Sequence, residues 1–262
     1  MTVVTDRALG LLILIGLSCA MYWRMAVARS GKLPWIRPIA GLDAIAEAVG
    51  RATELGRPVH YSTGLGALTD EYGPQTLAGL GVLQYVSKLC GEYGTKIICT
   101  VANPVVFPLS QEMVKAGLSQ AGKPDTYTED MVRFLSSEQW AYAAGAMGTM
   151  HRERVAANIM IGAWYGETLL LAEAALQTGA IQIGSTARMY QLPYMVIVCD
   201  YVLIGEEMFA ASAYVSRDPE KLGAIEGQDI GKVLATLVVV VGSVMATFGS
   251  KALYNFLDQF GK

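Results

Sequence analysis

The stretch VLATLVVVVGSVMATFG, residues 233–249, contains seventeen consecutive residues without a charged side chain. An α-helix needs roughly 17 to 25 mostly apolar residues to cross the hydrocarbon core of a bilayer. The helix reaches Leu253 if the Lys251 side chain extends to the membrane surface. The alternative is a buried helix of a soluble protein, but such a helix normally keeps a polar face, which this stretch lacks. The stretch therefore predicts a membrane span.

Small residues recur along one side of this span. Gly242, Ala246 and Ser250 are four residues apart, and Gly249 lies seven residues after Gly242. Small side chains let another helix approach closely in a membrane, although glycine and alanine are also common in spans that have no partner. These four residues are the candidates for helix packing, against a helix of the same chain or of a neighbour.

A second uncharged stretch, ALGLLILIGLSCAMYW, covers residues 8–23. A signal peptide is one interpretation, because residues 26–28 (AVA) resemble a cleavage site. However, Asp6 beside Arg7 replaces the positive cluster that begins a signal peptide. We therefore expect a first span, with Tyr22 and Trp23 at the membrane surface.

Positive residues come directly after the first span. They are Arg24, Arg29, Lys32 and Arg37. Lys and Arg are more frequent on the cytoplasmic side of a span. We therefore expect a two-pass protein of the cell inner membrane with the region between its spans in the cytoplasm. The four cysteines lie in or beside apolar runs and form no CxxC pair, which favours reduced thiols and fits this location.

Composition narrows the classes of partner. Charged residues make up 16% of the chain and the net charge is -3, so the basic surplus typical of nucleic-acid binding is absent. With two histidines and no paired cysteines, no metal site and no cofactor are predicted. The expected partners are membrane lipid, further copies of the chain and other subunits of a membrane complex.

Between the spans, short apolar segments alternate with longer helical ones. Helices are predicted at 42–55, 74–93, 114–121, 138–151, 165–177 and 206–215, and strands at 59–62, 96–101, 131–135, 156–161, 180–184 and 194–198. This alternation is typical of an α/β domain, here a Rossmann-like, largely parallel sheet with helices on both faces. The predicted divisions are 1–32 for the first span, 33–228 for the domain, including a polar linker at 216–228, and 229–262 for the second span and tail.

Ligands of open α/β sheets bind beyond the carboxyl ends of the strands. The polar and small residues predicted there, as candidates for binding a small polar ligand, are Thr63, Gly64, Gly66, Asn103, Ser185 and Thr186. A third glycine at the dinucleotide-binding spacing is absent, as is the lysine of a phosphate loop. A plain turn is therefore the competing interpretation of Gly64 and Gly66.

No catalytic residues are predicted. His60 lies inside a strand, where a lone histidine is more often a hydrogen-bonded core residue than a base. His151 falls at a helix end, and Asp200, Glu206 and Glu207 are better explained by capping or ion pairing than by catalysis. No nucleophile has a base beside it in the sequence.

Residues 200–219, DYVLIGEEMFAASAYVSRDP, are followed by Gln228-Asp229 and the last span. This arrangement resembles a family of bacterial membrane proteins known only as a domain of unknown function. The resemblance implies an N-terminal anchor, an α/β domain and a C-terminal anchor. It implies no activity, so it adds no functional residues.

Two functions are consistent with these features. The first is a non-catalytic, homo-oligomeric scaffold or a structural subunit of a larger membrane complex, favoured by the small-residue faces of the helices at 138–151 and 165–177. The alternative is a membrane-tethered enzyme or sensor that binds a nucleotide or small metabolite at the strand ends. Transport is less favoured, because neither span has an ionisable residue near its middle.

Overall fold

A computed structural model describes residues 8–32, 39–216 and 218–249. The expectations for Asp6, Arg7, Arg37, Ser250, Lys251 and Leu253 fall outside these residues. The described chain divides into two units. One contains the first helix, α1 (Ala8–Arg29), and the last, α9 (Pro219–Thr247); the other is an α/β domain formed by the residues between them.

Six parallel strands form the sheet of the α/β domain, in the order β3-β2-β1-β4-β5-β6. The strands are β1 (Val59–Gly64), β2 (Ile97–Val101), β3 (Val132–Phe134), β4 (Ala157–Ala163), β5 (Ile181–Thr186) and β6 (Tyr201–Ile204). The chain builds the sheet outward from β1 in one direction and from β4 in the other. The order therefore reverses between these two central strands, and the predicted Rossmann-like fold class is confirmed.

Helices connect successive strands, another precedes β1 and another follows β6, and together they cover both faces of the sheet. They are α2 (Ala40–Glu54), α3 (Gly73–Tyr93), α4 (Val106–Gln120), α5 (Gln139–Glu153), α6 (Glu167–Thr178), α7 (Leu192–Val198) and α8 (Glu207–Ser216). Two short 3-10 turns, Pro124–Thr126 and Glu129–Met131, precede β3. The connections follow the βαβ pattern that parallel strands require.

The two faces of the sheet differ in polarity. Apolar side chains such as Tyr61, Ile97 and Ile159 face the core that includes buried residues of α2, α3, α4 and α8. The opposite face lies against α5 and α6, and there β1 and β4 carry the fully buried His60 and Asn158. One layer of the domain therefore has an ordinary hydrophobic core, whereas the other contains polar groups that need partners.

The sequence-based prediction is wrong for residues 194–198 and for the linker at 216–228. The first segment is the short helix α7, which Pro193 begins, and the sixth strand is instead the four-residue β6. Three apolar residues of α7 are exposed, so the run YMVIV is not a strand buried on both faces. The supposed linker is mostly helical, because Asp218 accepts a hydrogen bond from the backbone of Glu220 and starts α9.

Glycines bring α1 and α9 together. Three glycines of α9, four residues apart, lie against three residues of α1 that are also four apart, and a methyl group at any of these glycines would overlap α1. The pairs are Gly223 with Met25, Gly227 with Met21, and Gly231 with Leu17. Later residues of α9 contact earlier residues of α1, so the two helices are antiparallel. Close backbone approach at glycines is how membrane helices commonly pack.

Ion pairs add to this packing. Arg24 binds Glu226, and Arg29 donates to Glu220 at 2.7 Å between Nη2 and Oε1. Within the described residues, two helices are long and apolar enough to cross a membrane, Gly10–Arg29 and Pro219–Thr247. Of the residues in their most apolar stretches, only 6% and 0% are buried. The protein thus has two candidate membrane-spanning helices, as the sequence predicted.

The predicted small-residue stripe lies further along α9 than the glycines that contact α1. Ala246 and Gly249 are exposed, and Gly242 is partly exposed. Gly249 has a positive φ just after the helix ends, and a side chain there would meet open space. The helix-packing role of the stripe remains a prediction.

Candidate functional site

The place where the strand order reverses is the expected ligand site of this fold. Here β1 and β4 are in close contact at their carboxyl ends. A methyl group at Gly162 would lie 1.9 Å from the carbonyl oxygen of Thr63, and one at Gly64 would lie 2.2 Å from that of Ala163. Leu65 N–H also donates to the Ala163 carbonyl at 3.0 Å. The glycines at this point therefore allow the two strands to meet.

Most of the predicted ligand-binding residues make contacts within the domain. Thr63 is 1% exposed. Gly66 packs against Thr76 at the start of α3. Ser185 donates to the Leu203 carbonyl at 3.0 Å, and Thr186 donates to Oε1 of Gln75 at 3.3 Å. The fold therefore gathers the ends of β1 and β5 near the start of α3, with their hydroxyl groups buried.

Asn103 has a local role. Its Oδ1 accepts a hydrogen bond from the backbone of Val105 at 2.8 Å, and its carbonyl accepts from Val106 and Phe107. These bonds satisfy backbone groups at the start of α4. The interactions of Asn103 are those of a turn that starts a helix, and they do not join it to the other predicted residues.

A buried arginine dominates this edge of the sheet. Arg188 lies two residues beyond β5 and is only 7% exposed. Its guanidinium carbon is 3.6 Å from the ring centre of Tyr165 and 4.5 Å from those of Tyr72 and Tyr190. These four residues form the Arg188 cluster. Contacts between a cation and aromatic rings stabilise such an arrangement by about 0.5 to 2 kcal/mol each.

The polar atoms of Arg188 are only partly satisfied. Its Nη1 donates to the Trp164 carbonyl at 3.1 Å. Its Nε is buried and has no hydrogen-bond partner among the described residues. No carboxylate in the described part of the chain lies within ion-pairing distance of the guanidinium. The guanidinium thus carries a buried positive charge that is not ion-paired with any carboxylate of the described residues.

Glu167 is the buried acid at the same edge of the sheet. It is fully buried at the start of α6, and burial raises the pKa of its carboxyl group, while hydrogen bonds and the charge of Arg188 lower it. Its Oε1 accepts from Tyr165 N–H at 3.0 Å and its Oε2 from the Gln139 side chain at 2.7 Å. Both oxygens are therefore engaged, one with the backbone just before α6 and one with the first residue of α5, which is a structural role.

A chain of hydrogen bonds crosses the polar face of the sheet beneath α5. The Nδ1 of His60 is 2.8 Å from Asn158 Oδ1, and its Nε2 is 2.8 Å from Thr100 Oγ1. Thr100 Oγ1 is 3.0 Å from the hydroxyl of Tyr142, which in turn bonds Ser62. All five side chains are fully buried.

The direction of these bonds is set at Asn158. Its amide oxygen can only accept, so His60 carries a proton on Nδ1 and donates it to Asn158 Oδ1. In the neutral ring, Nε2 accepts from Thr100. Thr100 in turn accepts from Tyr142, and Tyr142 accepts from Ser62, whose Oγ also accepts from Gly64 N–H at 3.1 Å. Burial lowers the pKa of His60 to about 4, so the ring is neutral at physiological pH.

The other concave surface of note lies at the opposite edge of the sheet. A cavity of about 440 Å³ is lined by residues around the start of β2, including Thr95, Lys96 and Lys123. The ion pair between Lys96 and Asp130, at 2.8 Å, lies in its wall. No cluster of potential metal ligands occurs in the residues that the structure describes.

Sequence reasoning missed the Arg188 cluster. It identified the end of β5 but stopped at Thr186, two residues short of Arg188, and its candidates included neither Trp164 nor Tyr165 at the end of β4. The available signal was an aromatic residue and a charged residue immediately beyond two neighbouring parallel strands. The remaining rings, Tyr72 and Tyr190, lie in loops, and their approach to Arg188 depends entirely on the fold.

Among the comparisons with known proteins, only the comparison with protein families gives a match. No curated protein and no solved structure matches the chain. One family matches residues 2–257, which covers the candidate membrane helices as well as the α/β domain. The chain therefore belongs to the family described as Domain of unknown function (DUF6754).

Proposed function

We propose that this protein is an integral membrane protein whose α/β domains assemble into a homo-oligomer, as a scaffold or as a structural subunit of a larger membrane complex. The observation that carries the proposal is a set of exposed apolar side chains on α7 and on the edge strand β6. We name it the β6-edge patch, formed by Tyr194, Val196, Ile197, Tyr201 and Ile204.

The patch is unusually apolar for a free surface. Ile197 is 79% exposed, Val196 55% and Ile204 54%, and two tyrosines accompany them. Single exposed apolar residues are common, but a group of large ones on adjoining elements marks an interaction site more often than a bare surface. Tyrosine and isoleucine side chains of this kind gain stability when a partner removes them from water.

A second copy of the chain is the partner we propose. β6 is an edge strand, and within the described residues its outer side pairs with no other strand. An open strand edge can pair with the same edge of another copy around a two-fold axis, while the flanking apolar side chains pack together. The short length of β6, four residues, fits a contact in which α7 supplies much of the buried surface.

The membrane part of the proposal rests on α1 and α9. Their exposed apolar residues, for example Leu12 at 65% and Val239 at 66%, are stable in contact with lipid. Arg24, Arg29 and Lys32 at the end of the first span favour a cytoplasmic location for the α/β domain. We therefore propose a two-pass protein of the inner membrane with this domain in the cytoplasm.

Oligomeric state tests the proposal. The protein is extracted in mild detergent, and its native mass is measured by mass spectrometry over a range of concentrations. We expect a homo-oligomer, and we expect Ile197→Glu to shift it toward the monomer because a carboxylate would be buried at the contact. Leu176→Glu is the matched control, since Leu176 is 67% exposed on α6 and lies outside the patch.

The result that would overturn the proposal is a monomer at all concentrations. A monomer that binds liposomes through its patch, and loses that binding on Ile197→Glu, would assign the patch to a lipid surface instead. An oligomer that both variants leave unchanged would remove the β6-edge patch from the interface.

A further inference from the structure

We infer that Arg188 is the binding group of a site for a small anion, a carboxylate or a phosphate, at the carboxyl end of β5. Such a site does not depend on the oligomer proposed above. It rests on a buried guanidinium with a free hydrogen-bonding edge, on the position of that group in the fold and on the ring that covers it.

The free edge has the geometry that recognises oxyanions. Nη1 of Arg188 donates a hydrogen bond to the Trp164 carbonyl. The side of the guanidinium that carries Nε and Nη2 remains available to a ligand. Two parallel N–H groups on that side match two oxygens of a carboxylate or phosphate. The Trp164 carbonyl thus holds the guanidinium through Nη1, and the edge formed by Nε and Nη2 can bind two oxygens of a ligand.

Charge supports the same conclusion. Arginine keeps its positive charge in proteins, and a buried charge without a counterion is unfavourable. The three tyrosine rings compensate only partly, because they supply no hydrogen-bond acceptor to Nε. Of the acids beside the cluster's rings, Glu167 has both oxygens bonded to Tyr165 and Gln139, and Glu71 hydrogen-bonds the side chain of Tyr72. An anion from outside would supply both the missing charge and the missing acceptor.

The approach to Nε passes Tyr190. That ring is 56% exposed and stands in the loop between β5 and α7, whereas Tyr72 and Tyr165 are more buried and contact each other edge to face, with ring centres 5.9 Å apart. Tyr190 is therefore the ring that a ligand displaces. An arginine beyond a strand end next to the reversal of strand order is also where this fold class binds ligands.

Anion titration of the full-length protein in detergent tests the inference. Thermal unfolding is followed while potassium phosphate or sodium malonate replaces potassium chloride at constant ionic strength. We expect Tm to rise and to saturate with at least one of the two anions, because a ligand that binds only the folded state stabilises it. Comparison of the two titrations distinguishes a phosphate ligand from a carboxylate ligand.

Three variants test whether the rise in Tm comes from an anion bound to Arg188. Arg188→Lys keeps the positive charge but loses the two parallel N–H donors of the guanidinium. We expect this variant to raise the half-saturating anion concentration about tenfold or more. Arg57→Lys is the control and should titrate like the natural protein, because Arg57 lies at the opposite edge and donates to the carbonyls of Val155 and Thr178. Tyr190→Ala, at an exposed ring, should lower the half-saturating concentration by uncovering Nε.

The natural protein alone can overturn the inference. If neither anion gives a saturating rise above chloride, there is no anion site in the fold, whatever the variants do. An equal rise in Arg188→Lys and the natural protein would place the anion elsewhere. An unchanged titration in Tyr190→Ala would contradict the route past that ring.

Discussion

His60 shows how one buried side chain is built into this sheet. Both ring nitrogens have partners, Asn158 and Thr100, and the ring is enclosed between the sheet and α5. The sequence correctly indicated a hydrogen-bonded core histidine, because it falls inside a strand. It did not indicate the partners, since Thr100 and Asn158 come from β2 and β4 and meet His60 only through the strand order.

The pKa of His60 makes stability depend on pH. An unfolded histidine titrates near pH 6.5, whereas the folded ring has a pKa of about 4 because burial disfavours its charged form. Between these values the unfolded chain binds a proton that the folded protein does not. Stability is therefore complete above pH 6.5 and falls as pH decreases, by roughly 3 kcal/mol near pH 4.

We predict that His60→Gln removes this part of the pH dependence, because glutamine does not titrate. Thermal unfolding of the detergent-extracted protein between pH 4 and 7.5 measures the effect. His151→Gln, on an exposed helix end, is the control and should retain the natural slope. If the stability of the natural protein and that of His60→Gln fall equally as pH decreases, the folded protein does not keep the His60 ring neutral.

At the scale of elements, the errors of prediction have a common cause. The run YMVIV of α7 is rich in β-branched residues, which fit strands, yet Pro193 begins a helix there and the apolar side chains face outward. The polar residues 219–228 resemble a linker, yet they form the first turns of α9 against α1. Local preference cannot reveal a partner that is distant in sequence or absent from the chain.

The strands and helices of the domain interior were more predictable. Strands β1, β2 and β4 are fully buried, short segments between turns, and the sequence located each of them within two residues. The parallel sheet could be inferred from their alternation with helices. The pairing of α1 with α9 could not, because Gly223, Gly227 and Gly231, which contact α1, come before the predicted stripe, which begins at Gly242.

Gly227 is the point at which the helix pair is most easily tested. A side chain at this position would lie 2.6 Å from Cα of Met21, so we predict that Gly227→Leu separates α1 from α9 at a cost of about 1 to 3 kcal/mol. Cysteines replacing Arg24 and Glu226, which pair in the natural chain, report contact through a short bismaleimide crosslinker. The exposed Cys19 is changed to serine beforehand.

The control for this experiment is Gly16→Leu. Gly16 lies in α1 with open space where its side chain would be, so the crosslink should form as in the parent protein. Crosslinking that survives Gly227→Leu unchanged would mean that the glycine contacts do not hold the two helices together.

For the whole molecule, orientation is the property with the widest consequences. Arg24, Arg29 and Lys32 come directly after the first span, so we predict that the α/β domain faces the cytoplasm. A cysteine replacing Asp125, at an exposed turn, reports this when the Cys19→Ser protein is produced in a bacterial host. A membrane-impermeant maleimide should label it only after the inner membrane is permeabilised.

Labelling of the new cysteine in intact spheroplasts would show that the domain lies on the outer side of the inner membrane. The control is a protein with Cys19→Ser and no new cysteine, whose remaining cysteines are buried or half-buried and should label weakly in both conditions. A domain outside the cell would also change the expected partners, because the ligands available to Arg188 differ on the two sides of the membrane.

The pairing of Arg24 with Glu226 has a consequence for synthesis. The two residues are separated by 202 positions, so the ribosome completes the whole α/β domain after making one and before making the other. At about 5 to 20 residues per second, the first helix waits roughly 10 to 40 s for its partner. During that interval its guanidinium has no Glu226 carboxylate beside it. Helix α1, which is made first, can complete its packing only when α9 has been synthesised. A nascent chain that stalls within the α/β domain therefore has only one of its two candidate membrane helices.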